Sequence, residues 1–94
     1  MKEIYEKMGK FAVDVFYDST SIGHLKKMKD EADEAIENPD DIFEYADCML
    51  ALFAAAYKSG FSFEDISNAT KEKFEILKTR KWTKDSDGTY QHIS

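Results

Sequence analysis

The chain has 94 residues and a formal net charge of −6 at pH 7, so it lacks the excess of basic residues with which proteins bind nucleic acid polymers or anionic membranes. Hydrophobic residues make up 43% of the chain and aromatic residues 14%, which excludes a disordered protein and fits one folded domain over residues 1–94. Because so short a chain buries only a modest core, we expect oligomerisation to complete it.

Three helices are predicted in the first two thirds of the chain. Apolar residues recur at helical spacing from Lys2 to about Tyr17, which predicts the first helix. The second is predicted over about Ile22–Glu37. Asn38-Pro39-Asp40-Asp41 is a start signal for the third, with Asn38 as the cap and Pro39 at the first helical position, and this helix is predicted to end at about Ser59.

A fourth helix is predicted after the stop signal at Gly60. Ser62 and Asp65 have the spacing of a capping pair at its start. The apolar pattern continues to about Lys81, and Trp82 closes the helix as a packing cap.

The tail after the fourth helix is polar. Residues 83–88 read as a loop, and residues 89–93 read as a short extended piece. The sequence therefore predicts an all-α fold of four helices with a short C-terminal tail.

Two pairs of carboxylates carry the main indication of chemistry. Glu31 and Glu34 form E-x-x-E on the second helix, and after nine residues Glu44 and Asp47 form E-x-x-D on the third. Residues three apart share a helix face, and like charges beside apolar surface are costly unless a cation neutralises them. Mg²⁺ is the cation that prefers several hard oxygen ligands. Glu31 and Glu34 also fit ordinary surface acids, whereas Asp47 lies in an apolar run with little room for a solvated face.

Basic residues line the edges of two helices. His24 and Lys27 precede the first carboxylate pair on the same edge of the second helix, and Lys73 and Arg80 lie at the margin of the apolar face of the fourth. Lys73 and Arg80 fit two interpretations equally. In the first, their long side chains extend from the edge of the core to reach water. In the second, they bind the oxygens of a phosphate that metal ions hold on the facing side of the site.

Cysteine usage and the start of the chain indicate a compartment. Cys48 is the single cysteine and cannot form an internal disulfide, which favours a reducing environment. No leader of the secretory type opens the chain. The most apolar run, Tyr45–Tyr57, is shorter than the about 20 residues that span a bilayer. We therefore expect a cytoplasmic protein with no membrane partner.

These residues resemble the MazG-like superfamily of all-α nucleoside triphosphate pyrophosphohydrolases, whose motif is E-x-x-E, a variable spacer and E-x-x-D. The four carboxylates match it in order and type. The closer likeness is to the phage-associated dATP/dGTP pyrophosphohydrolase branch and spans about residues 23–93. It rests on H-L-K-K at His24–Lys27, N-P-D-D at Asn38–Asp41, A-x-x-x-G-F at Ala56–Phe61, R-K-W at Arg80–Trp82 and D-G-x-x-x-H at Asp87–His92.

The resemblance implies Mg²⁺-dependent hydrolysis of a nucleoside triphosphate, taken as a purine deoxynucleotide, to the monophosphate and pyrophosphate, with Mn²⁺ as the alternative ion. The four carboxylates are the implied metal ligands, and Glu31 and Glu34 are alternatives for the general base. Lys73 and Arg80 would also stabilise charge on the phosphates. The implied substrate contacts are His24, Lys27, Lys73, Arg80 and Trp82. The resemblance also implies a four-helix bundle that works as a homodimer or homotetramer.

One departure and one competing function accompany this resemblance. The branch carries K-x-x-x-N-x-x-R on its last helix, and here Leu77 stands in the place of the asparagine. Base and sugar choice are therefore open, and a relative that prefers dUTP or dCTP shares the same metal chemistry. The competing function is a non-enzymatic helical interaction or regulatory module of phage or mobile-element origin. In that module the apolar third helix is an interface and the acids are surface charge.

Overall fold

The computed structural model describes residues 1–93. It contains two compact units, Met1–Phe63 and the part from Glu64 onward. The predicted all-α fold class with four helices is confirmed, while oligomerisation and a single domain over residues 1–94 stay predictions. The elements in chain order are α1 (Lys2–Val15), α2 (Ser21–Glu37), α3 (Ile42–Lys58), α4 (Phe63–Thr79), β1 (Trp82–Lys84) and β2 (Tyr90–His92).

The first unit is organised around α3, which packs against both α1 and α2. The α1 side of its core is aromatic. Tyr5 is 1% exposed, and its ring lies 5.2 Å from the ring of Phe53, 5.8 Å from Tyr57 and 5.9 Å from Phe63. Its hydroxyl donates a 2.7 Å hydrogen bond to the backbone carbonyl of Phe61. This contact ties the segment after α3 to the first helix.

A glycine permits the close approach of α1 to α3. Gly9 is buried, and a Cβ added there would overlap the ring of Tyr57. Buried alanines on α3, among them Ala51, Ala54 and Ala55, likewise keep its side chains short. Small side chains on facing helices let the two backbones approach, so the aromatic rings fill the remaining space.

The end of α3 is the one predicted from Gly60. Gly60 has φ +90, a left-handed conformation that favours glycine. Its N–H donates to the carbonyl of Tyr57, and the N–H of Phe61 donates to the carbonyl of Ala56. These are the two hydrogen bonds of a Schellman motif, which satisfies the last carbonyls of the helix.

The start of α3 differs from the prediction. Asp41, rather than Asn38, is the N-cap, and its carboxylate accepts a hydrogen bond from the N–H of Phe43. Asn38 instead ends α2, where its backbone N–H bonds to the carbonyls of Glu34 and Ala35. The prediction was wrong because both residues can cap, and the position of the turn decides which helix each one serves.

The second unit holds α4 and a hairpin that the sequence did not predict. The prediction that α4 reaches Lys81 and that Trp82 closes it was wrong, because α4 ends at Thr79 and Trp82 begins β1. β1 and β2 are antiparallel, with Trp82 opposite His92 and Lys84 opposite Tyr90. The loop predicted over residues 83–88 was wrong at residues 83 and 84, which belong to β1, while Gly88 has φ +91 at the connecting turn.

Among residues 1–93, no helix combines the length and the apolar character that crossing a membrane requires.

Candidate metal centre

Three of the four carboxylates that the sequence predicts to converge, on α2 and α3, lie close together in the structure. The short connection at residues 38–41 turns α3 back along α2, and the two helices pack together. Glu31, Glu44 and Asp47 each offer one oxygen, and these oxygens lie within 4.8 Å of one another. We call these three residues the acid cluster. Glu34 lies beside them, joined to Glu31 by a side-chain hydrogen bond.

Burial within the acid cluster is the reverse of the sequence expectation. Glu31 is only 8% exposed, Glu44 is half-buried, and Asp47 is exposed. The expectation that Asp47 lacks a solvated face was wrong because the apolar residues around it do not all meet another helix. Met49, two positions along α3, is itself 43% exposed. Apolar neighbours in the sequence therefore did not imply burial.

Glu44 holds a buried oxygen that has no partner. Its Oε2 is shielded from solvent and accepts no hydrogen bond from the described residues. Burial raises the pKa of the Glu44 carboxyl, and the charges of Asp41, Asp47 and Glu31 raise it further. A buried acceptor left unsatisfied is unfavourable. A cation bound between the three carboxylates would satisfy this oxygen directly.

The two glutamates of α2 titrate in opposite directions. The Lys27 ammonium lies 3.0 Å from Oε1 of Glu31, and this hydrogen bond lowers the pKa of the Glu31 carboxyl. The hydrogen bond from Glu34 to Glu31, together with the charge of Glu31, raises the pKa of the Glu34 carboxyl. Glu31 therefore keeps its negative charge more readily, and Glu34 beside it takes up a proton more readily.

The donor set fits a hard divalent cation. Three carboxylates supply oxygen ligands, which Mg²⁺ and Mn²⁺ prefer. Cys48, the single cysteine of the chain, could offer a thiolate, but burial and the charge of Glu31 raise the pKa of its thiol. A thiol binds metal as the thiolate, so this shift keeps the site an oxygen site.

Two further predicted residues lie on α2. Lys27 is already paired with Glu31, one turn along the helix. Nε2 of His24 shares a 2.7 Å hydrogen bond with Oγ of Ser19, and its ring lies 6.2 Å from that of Phe16. His24 is thus held against the connection between α1 and α2. Its predicted role as a substrate contact stays a prediction.

The remaining predicted residues lie in the second unit. Lys73 is exposed, Arg80 is half-buried just after α4, and Leu77 lies between them on the same line and is 39% exposed. The ring of Trp82 meets the ring of His92 edge-to-face at 6.1 Å. The sequence did not predict this contact between Trp82 and His92. The turn glycine Gly88 between two short segments that each begin with an aromatic residue is the weak signal that the sequence offers for this hairpin.

Comparisons with known proteins assign a family. A family model described as dATP/dGTP pyrophosphohydrolase matches residues 4–94, almost the whole chain. The match includes both carboxylate pairs and the R-K-W stretch.

A solved structure and a sequenced relative are also similar. The structure is the cyanophage S-2L MazG-like pyrophosphohydrolase bound to dGDP and three catalytic Mn²⁺ ions per active site. It aligns with a TM-score of 0.80 at 24% identity, over 98% of this chain and 95% of that one, a likeness that establishes the fold. The Eaa protein of Salmonella phage P22 is 43% identical over 54 residues, which are 57% of this chain and 17% of that protein. The chain thus spans about a sixth of that relative.

Proposed function

The chain belongs to the dATP/dGTP pyrophosphohydrolase family, and from that membership we propose that it hydrolyses a purine deoxynucleoside triphosphate to the monophosphate and pyrophosphate, with Mg²⁺ or Mn²⁺ at the acid cluster. The observation that carries the proposal is the meeting of three carboxylate oxygens within 4.8 Å around a glutamate whose buried oxygen has no partner. The dGDP and Mn²⁺ bound by the cyanophage protein support the purine and the divalent ion.

The acid cluster would hold the ions, with Glu34 as a predicted fourth ligand. When bound, divalent ions neutralise the carboxylates, offset the charge of the phosphates and make water more acidic. Glu31 and Asp47 approach the same point from two helices, so their rigid spacing orients whatever binds there.

Glu34 is our choice between the two candidate general bases. Its side chain lies beside the three converging residues, so one carboxylate oxygen would serve as the fourth ligand while the other would accept a proton from the attacking water. Its hydrogen bond to Glu31 raises the pKa of its carboxyl above the usual value, which makes its carboxylate a stronger base. A general base works best when its pKa is near the working pH.

The other roles are proposed on the family likeness. Lys73 and Arg80 would stabilise charge on the phosphates, and His24, Lys27 and Trp82 would contact the nucleotide. We also propose a cytoplasmic homo-oligomer.

The test is release of pyrophosphate from a panel of deoxynucleoside triphosphates with Mg²⁺ or Mn²⁺. We expect purine substrates to be cleaved and EDTA to abolish both turnover and nucleotide binding. Asp47→Asn should lower turnover at least about 100-fold, with helical content unchanged because Asp47 is exposed.

Asp33→Asn is the matched control, since Asp33 is an exposed aspartate of α2 outside the acid cluster. It should keep wild-type turnover. Nucleotide binding that persists without divalent ions, or no cleavage of any substrate in the panel, would leave the competing interaction module as the better account.

A further inference from the structure

Lys27 forms an ion pair with one member of the acid cluster. Its ammonium lies 3.0 Å from Oε1 of Glu31, one of the three residues whose oxygens converge. The two side chains differ in exposure, since that of Glu31 is 11% exposed and that of Lys27 is 62% exposed. The nearly buried carboxylate of Glu31 is thus neutralised by the ammonium of a side chain that remains largely in water.

The helical arrangement contributes little to the stability of this ion pair. Lys27 precedes Glu31 by four residues, and this order is the weaker of the two i,i+4 arrangements because it opposes the helix dipole. A solvent-exposed lysine also loses side-chain entropy when it is held in one geometry. The ammonium can therefore leave Glu31 at little cost when a stronger cation arrives.

One ammonium does not satisfy the whole cluster. Lys27 reaches Glu31, while Oε2 of Glu44 stays buried without a hydrogen-bond partner. A divalent cation between the same carboxylates would serve both residues and carries twice the charge. It would also be repelled by an ammonium left at Glu31.

We propose that Lys27 is the resident counter-ion of the acid cluster in the metal-free protein, and that it exchanges with the divalent cation at Glu31. This inference rests on the proposed function, because it needs the cluster to bind metal. Before metal binds, the ion pair with Lys27 limits repulsion between the carboxylates. The exchange then releases the positively charged Lys27 side chain beside the site only after metal has bound, when an anionic phosphate is the next ligand.

The test compares two charge-matched variants in Mn²⁺ titrations by calorimetry, without nucleotide and at about 0.15 M salt to limit long-range effects. Lys27→Met removes the ammonium but keeps the aliphatic stem. Lys26→Met makes the same change on the next residue, about 100° away around the helix. We expect Lys27→Met to bind Mn²⁺ about three- to tenfold more tightly than Lys26→Met. Lys27→Arg keeps the charge and should stay close to wild type.

A second readout needs no bound metal. Metal-free Lys27→Met should melt at a lower temperature than metal-free Lys26→Met, and the two should converge when Mn²⁺ saturates the site. Equal or weaker Mn²⁺ affinity in Lys27→Met would overturn the counter-ion role while leaving the proposed function intact. A wild-type protein that binds no Mn²⁺ would overturn both.

Discussion

Replacing Glu44 with glutamine is expected to separate fold stability from metal binding, because the two respond in opposite directions. Burial, and then the charges of Asp41, Asp47 and Glu31, raise the pKa of the Glu44 carboxyl. The folded protein therefore disfavours the charged form that the unfolded chain carries at neutral pH. Glutamine removes that charge, so the metal-free variant should melt at or above the wild-type temperature.

The response to metal follows from linkage. A cation at 100 times its dissociation constant stabilises the folded protein by about 2.7 kcal/mol, which for a chain of this size raises Tm by roughly 10–20 °C. Glu44 supplies one of the three converging oxygens, and loss of a direct ligand should weaken affinity at least about 100-fold. At the same metal concentration the variant then gains only about 0.4 kcal/mol, or roughly 2–3 °C.

The assay is thermal denaturation followed by circular dichroism, with EDTA and then with Mn²⁺. Glu6→Gln on α1 is the control, since Glu6 is exposed and lies on a helix that supplies no ligand. It should show the full wild-type response to metal. A Glu44→Gln protein that keeps that response, or that melts well below wild type in EDTA, would refute the reasoning about the buried oxygen.

Three further outcomes are expected. Gly9→Ala should lower the free energy of unfolding in urea by about 1–3 kcal/mol because the new Cβ overlaps the Tyr57 ring. Its Mn²⁺ affinity should be unchanged. An unaltered urea midpoint would contradict the α1–α3 packing. Tyr5→Phe should cost about 1 kcal/mol in the same assay, through loss of its 2.7 Å hydrogen bond, and wild-type stability would show that the hydroxyl contributes nothing. In the metal-free protein, Glu34 and Glu44 have raised pKa values, so the folded chain binds protons that the unfolded chain releases. The free energy of unfolding should therefore rise as the pH falls from 7 through these raised pKa values toward 4.5, the ordinary pKa of a glutamate. A lower denaturant midpoint at about pH 5 than at about pH 7 would contradict this prediction.

Local spacing was sufficient to predict the helices and the carboxylate pairs. The i,i+3 separation within each pair places two acids on one helix face whatever the rest of the chain does. Gly60 likewise marks the end of α3 because few residues other than glycine tolerate its positive φ. The four carboxylates in order, with the short stretches around them, also predicted the family that the comparisons assign.

Features that depend on two segments meeting were not predictable in the same way. Asn38 and Asp41 are both competent caps, and only the position of the turn assigns Asn38 to the end of α2. The pairing of Trp82 with His92 needs a hairpin that two three-residue strands barely signal.

The sequence by itself determined which side chains share a helix face and which chemistry they offer, because helical periodicity and side-chain type are local properties. Only the tertiary structure decided that Glu31 is buried and Asp47 exposed, and that Lys27 neutralises Glu31. It also decided that one buried oxygen of Glu44 finds no hydrogen-bond partner among residues 1–93. Burial and pairing depend on which faces of α2 and α3 come into contact. That contact reflects the free energy of the whole packed unit rather than the preference of either segment.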